Sequence, residues 1–165
     1  MQSTKILAVS MALASLFMLG GCGGSASDSA SDTAEAEMSH SAAPAGLPRT
    51  SSPEGASVFF ISPVDGETVA NPVKVEFGIA HMAVVKAGEM ATDAGHHHLL
   101  IDTGLPDLAL PVPADDKHRH FGDASTATEL TLEPGQHTLQ LLFADYLHIP
   151  HDPVVVSATI TITVE

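Results

Sequence analysis

Residues Val154-Val155-Val156-Ser157-Ala158-Thr159-Ile160-Thr161-Ile162-Thr163-Val164 alternate aliphatic with small polar side chains almost to the end of the chain. Period-two alternation of β-branched residues is what a half-buried strand requires, because successive side chains point to opposite faces of a sheet. It predicts a strand over 154–164 with Val154, Val156, Ala158, Ile160, Ile162 and Val164 facing inward. The same reading applies upstream. Pro72 to Ala80 alternates Val73, Val75, Phe77 and Ile79 with Lys74 and Glu76, and Gln136 to Ala144 puts His137, Leu139, Leu141 and Phe143 on one face. Further short runs lie near Val58 to Ser62, His96 to Asp102, His118 to Phe121 and Thr126 to Leu132, separated by turn signals such as Asp65-Gly66, Gly122-Asp123 and Pro134-Gly135. No helical period competes. The pattern predicts an all-β fold, an immunoglobulin-like antiparallel sandwich of about seven strands.

The chain has 165 residues, with 6 Lys plus Arg against 20 Asp plus Glu and a net charge of -14. Nucleic acid is an unsuitable partner, because phosphate binding needs clustered cations and single strands need stacking aromatics, and here there is no Trp and one Tyr. One cysteine excludes an internal disulfide, a thiolate zinc site and a Cys-x-x-Cys redox centre. Any bound metal must therefore be held by nitrogen and oxygen.

The start of the chain reads as an address. Lys5 precedes an apolar run from Ile6 to Leu19, too short to span a bilayer comfortably and the right length for a signal-peptide core. Leu19-Gly20-Gly21-Cys22 resembles the bacterial lipobox, which implies cleavage before Cys22 and lipidation on it; Gly23 next to it resembles the outer-membrane sorting pattern. Residues 23–57 are nearly free of large apolar side chains and are expected to be a disordered tether, with His40 solvated in it. The organisation expected is thus a lipoprotein signal peptide over 1–22, a tether over 23–57 and a sandwich domain over 58–165.

Histidine is the compositional outlier. There are 10, more than Lys plus Arg together, and all but His40 lie between His81 and His151. In an immunoglobulin-like order, alternate connections share one end of the sandwich. That places His81, His96 to His98, His120, His148 and His151 at a common end and His137 at the other. Alternation puts His96 and His98 on one face of a strand, and His118 and His120 on one face of another. Two imidazoles so placed suit Cu(II) or Zn(II). The candidate metal ligands are His96, His98, His120, His148 and His151. His81, His97, His118, Asp145 and Asp152 stand as additional ligands or as partners that orient them. Taken singly, His81, His97, His118 and His137 read first as structural, with His97 a satisfied core residue beside Leu99 and Ile101. A His and Asp hydrogen-bond network that fixes the long loops without any ion is the competing reading. No Ser-His-Asp or Cys-His order is readable, so no catalytic residue is expected.

The stretches Gly95 to Asp102 (GHHHLLID), Pro113 to Asp123 (PADDKHRHFGD), Leu132 to Asp145 (LEPGQHTLQLLFAD) and His148 to Val164 (HIPHDPVVVSATITITV) resemble a family of bacterial exported proteins, the domain of unknown function numbered forty-three ninety-nine. The resemblance implies an exported β domain. A lesser similarity, carried by Pro63, Asp65-Gly66, Val69 and Pro72 ahead of an alternating strand, is to periplasmic copper-binding sandwiches of the CopC type. His118-Arg119-His120 resembles the His-x-His of copper–zinc superoxide dismutases, although the cysteine pair of those enzymes is absent. The expected function is a lipid-anchored periplasmic module that binds Cu or Zn as a carrier, buffer or accessory protein and is not an enzyme. Another envelope protein is its expected partner beside the membrane. The alternatives are a non-metal envelope interaction module and a copper enzyme of dismutase type.

Overall fold

The computed structural model describes residues 47–165. The expected signal segment with Cys22, residues 23–46 of the expected tether and His40 lie outside the described residues. The described chain forms ten strands: β1 (Ser57–Ser62), β2 (Thr68–Val69), β3 (Val73–Ala80), β4 (Ala83–Val84), β5 (Ala94–Ile101), β6 (His118–His120), β7 (Ala127–Leu130), β8 (Gly135–Ala144), β9 (Pro150–Val156) and β10 (Ile160–Val164). They make two sheets, one in the order β1-β3-β7 and one in the order β2-β10-β8-β5-β4, with β6 on β5 and β9 on β8. Most pairings are antiparallel, and the fold is an all-β sandwich.

The main core lies between the sheets. Val73, Val75 and Phe77 of β3 turn inward while Lys74 and Glu76 stay exposed, as alternation predicts. They meet Leu99 and Ile101 of β5, Leu139, Leu141 and Phe143 of β8, and Ile160, Ile162 and Val164 of β10. Each large side chain removed from water in this way contributes about 1.5–3 kcal/mol. A second, smaller core covers the outer face of the larger sheet, where Leu100, Leu142 and Ala144 pack with Val112 of the long 102–117 connection. That connection is tied down where the Val112 amide donates to the His148 carbonyl at 2.9 Å. Because both faces of β5 are covered, every residue of Ala94–Ile101 is buried.

Three expectations about the strands are corrected. The single strand predicted over 154–164 is two, β9 and β10, with Ser157–Thr159 between them. There the Ser157 hydroxyl oxygen takes the Leu141 amide at 2.9 Å in place of a ladder bond. The interruption shifts the facing by one residue, so Val155 enters the main core while Val154 and Val156 pack on the outer one. Second, the run 118–121 pairs with β5, not with the β1-β3-β7 sheet where an immunoglobulin constant-type fourth strand would sit. Third, the chain is in place well before Val58. Arg49 Nε donates to the Pro150 carbonyl at 2.9 Å, Ser51 bridges Asp152, and the Leu47 amide donates to the Ala109 carbonyl at 3.2 Å. Residues 47–57 belong to the stretch nearly free of large apolar side chains, and these polar contacts join them to the strands.

Candidate metal centre

The site is built on β5 and its neighbours. In the β5–β6 ladder His98 lies opposite His120, with Leu99 opposite Arg119 and Leu100 opposite His118. Directly paired residues share a face, so the His-x-His of each strand contributes to the same outer surface of the larger sheet. His148 reaches that surface from the connection between β8 and β9. It holds φ at 67°, a left-handed backbone that costs a non-glycine residue about 1 kcal/mol and is characteristic of functional sites.

These four imidazoles converge. The ring centroids of His96 are 4.9 Å from His98, 4.9 Å from His120 and 4.8 Å from His148. Those of His98, His120 and His148 are 4.7–5.8 Å from one another. Ligand nitrogens of His96, His98 and His120 all lie within 4.8 Å of one another. Two Nε2 pairs are short, His96 to His98 at 3.1 Å and His120 to His148 at 3.2 Å. Two nitrogens that share one ion at the usual bond length of about 2.0–2.1 Å stand about 3 Å apart, so both spacings suit a shared ion. They also suit an imidazole N–H donating to the lone pair of its neighbour.

The two halves of the cluster differ in exposure. His96 and His98 are fully buried, His148 is half-buried and His120 is exposed. Burial pushes His96 down to about 4, assisted by the charges His148 and His120 would carry. Burial pushes His98 to about 2, with His96, His120 and His148 adding to it. His120 is lowered by burial and by His148, against the opposing pull of Asp123. Burial thus favours the neutral form of His96, His98 and His120, the form in which an imidazole can ligate a metal. His96 Nδ1 and His98 Nδ1 have no hydrogen-bond partner. Each such buried group costs about 1–3 kcal/mol.

The structure does not bring His151 to this cluster. Its ring is buried and stacked on Phe143 at 6.0 Å, with Nδ1 and Nε2 both unpartnered. The space it fills is left by Gly95, where a Cβ would sit 3.0 Å from His151 Nε2. The immunoglobulin-like order puts His151 in the same connection as His148 and so among the ligands, but His151 lies in β9, which pairs with β8 from Pro150 onward. Nor do the histidines meet at an end of the sandwich as expected; they meet on the outer face of one sheet, because β6 joins β5.

The remaining candidates fall outside the cluster or beside it. His97 points to the opposite face, edge-on to Phe77 at 4.7 Å and to Phe143 at 4.9 Å. It is a core residue as expected but not a satisfied one, since neither ring nitrogen has a partner, and burial lowers it to about 4. His81 is exposed beside Gly55. His118 shares a hydrogen bond with Asp115 at 2.7 Å. His137 bridges Asp102 and the Glu133 carbonyl at 2.7 and 2.8 Å, near the far end of β8. Asp152 is exposed and 3.5 Å from Arg49.

Asp145 is no ligand in this arrangement, but it shapes the loop that carries one. It is 2% exposed, and its Oδ1 accepts the amides of Leu147 at 2.8 Å and Ile149 at 3.0 Å. Its backbone carbonyl accepts the His148 amide at 2.9 Å. Gly122 is a further residue the sequence reading missed: any Cβ there would overlap the His120 ring, so a glycine two residues past a histidine gives the ring its place.

A family described as a domain of unknown function (DUF4399) matches residues 75–165, more than half of the chain, and the chain belongs to that family. The matched region includes all four converging histidines. No curated protein and no solved structure matches the chain.

Proposed function

We propose that the protein is a lipid-anchored periplasmic module that binds one divalent transition metal, Cu or Zn, at His96, His98, His120 and His148. The observation that carries this is the convergence of four imidazoles on one sheet face, with two Nε2 pairs at 3.1 and 3.2 Å. An all-nitrogen shell without thiolate suits Cu(II) and Zn(II) among the divalent ions. The role that fits is a carrier, buffer or accessory protein rather than an enzyme, with the lipid on Cys22 holding it at the envelope, on the outer membrane, where another envelope protein is its partner.

The test is metal analysis of full-length protein purified without a histidine tag, followed by Cu(II) and Zn(II) titration. One ion per chain, bound tighter than about micromolar and lost in a His98→Ala plus His148→Ala variant, is the expected result. Unaltered binding in that variant would remove the reading.

A second reading has its own support. The same Nε2 spacings satisfy an ion-free network of imidazole hydrogen bonds, which would make the domain a non-metal interaction module of the envelope. The two readings separate in the melting temperature. A bound ion raises stability as RT ln(1 + [L]/Kd), whereas the network leaves melting indifferent to chelator. A copper enzyme of dismutase type would further require turnover by the loaded protein.

A further inference from the structure

We propose that Thr50 is a positioning residue for the fourth imidazole, acting through Asp145, so that the segment leading into the domain from its N-terminal side sets the affinity of the site. The inference rests on the metal reading above. Its basis is a continuous chain of contacts. Thr50 Oγ1 donates to Asp145 Oδ2 at 2.6 Å, and the other oxygen of the same carboxylate accepts the Leu147 and Ile149 amides that flank His148. The Asp145 amide donates to the Ile149 carbonyl at 3.0 Å, closing the turn in which His148 takes its left-handed φ of 67°.

The hydroxyl of Thr50 comes from 95 residues away in sequence, and the other donors described for this carboxylate belong to the turn itself. Thr50 is placed by its neighbours. Its carbonyl accepts the Asp152 amide at 2.9 Å, the Ser52 amide donates to the Asp152 carbonyl at 3.2 Å, and Arg49 holds the Pro150 and His151 carbonyls. Residues 49–52 thus lie as a strap along the start of β9. Lifting the strap takes the donor from Oδ2 of a buried carboxylate and frees the turn to leave its strained backbone. His96, His98 and His120, all fixed on sheet strands, do not depend on it. The consequence is a site of three rigid imidazoles and one latched imidazole.

The experiment compares full-length wild type with Thr50→Val, Thr50→Ser and Ser52→Ala by Cu(II) titration, by nitrogen hyperfine structure in the Cu(II) paramagnetic resonance spectrum, and by melting of the metal-free protein. Partners that orient ligands typically change metal affinity 10–100-fold when removed. Thr50→Val is expected to weaken Cu(II) binding about tenfold and to lose one nitrogen from the spectrum. Thr50→Ser restores both, and Ser52→Ala, which loses only an exposed bond to the Pro153 carbonyl, leaves affinity unchanged. Wild-type affinity and spectrum in Thr50→Val overturn the inference while leaving the metal site standing. Equal weakening by Ser52→Ala also overturns it, because the strap would then act as a whole and not through the hydroxyl. Failure of wild type to bind Cu(II) or Zn(II) removes the metal reading itself.

Discussion

His98 and His120 face each other across the β5–β6 ladder with ring centroids 5.1 Å apart. They come from two His-x-His segments whose strands are 16 residues apart in the chain and whose only route to contact is antiparallel pairing. That pairing turns two short motifs into one surface, and the loop carrying His148 closes over it.

The position of His151 gives the sharpest separation of ligand from neighbour. His120→Ala is expected to lower metal affinity more than about tenfold with little change in the melting of the metal-free protein, since His120 is exposed. His151→Ala is expected to leave affinity within about twofold and to lower the melting temperature, because it opens a cavity against Phe143. Isothermal titration and thermal melting of both variants decide it, and the reverse pattern would return His151 to the site.

Gly95 is expected to tolerate no side chain. A Cβ there would overlap the Ala144 carbonyl oxygen and stand 2.9 Å from Phe143 Cε1 and 3.0 Å from His151 Nε2. The carbonyl belongs to the β5–β8 ladder and cannot withdraw. Gly95→Ala should therefore destabilise by about 3 kcal/mol or more, measured by denaturant unfolding. A change under about 1 kcal/mol would mean that the two strands can part at this point.

The metal-free domain is expected to be acid-labile. His96, His97 and His98 stand at about 4, about 4 and about 2 in the folded chain, against about 6.5 when unfolded. Between those values the unfolded chain binds more protons, so the stability these rings confer is complete above about pH 6.5 and is lost as pH falls. Each ring contributes a slope of up to about 1.4 kcal/mol per pH unit. Melting in the presence of chelator from pH 7.5 to 5 should show a steep decline. A flat profile over that range would show that these imidazoles are not held neutral.

His137 should behave in the opposite sense. The hydrogen bond to Asp102 and then the Glu133 carbonyl raise it above its ordinary value. Its small stabilising contribution is complete below about pH 6.5 and fades as pH rises through the folded value. A ring titration by magnetic resonance should show the elevated value in wild type and its return toward about 6.5 in Asp102→Asn. An unchanged titration in that variant would exclude the carboxylate as the cause.

The fold was legible wherever one face of a strand is wet. Val73 to Ile79 and Leu139 to Phe143 reveal their inward sides by simple alternation, and both were placed correctly. Alternation alone misread the last strand, because the Ser157 hydroxyl substitutes for a backbone partner and a serine in a Thr-rich run carries no mark of that. The histidines were legible as a group but not in their geometry. Which sheet takes the 118–121 run depends on pairing energies between distant segments, and a three-residue strand gives little local evidence of its neighbour. His148 and His151 look equivalent in sequence. The difference lies in where β9 begins, at Pro150, just past the turn that carries His148.

The three consecutive histidines of β5 present imidazole to both sides of one strand. A displacement of that strand by a single residue would wedge His96 and His98 between Phe77 and Phe143 and offer His97 and Leu99 to the outer surface. One imidazole of the four would give way to a leucine, while the hydrogen-bond count of the ladder stayed the same. Backbone bonding cannot detect such an error, so fidelity here falls to side chains: Gly95, which admits no neighbour's bulk, and the aliphatic pair Leu99 and Leu100, each matched to its own core.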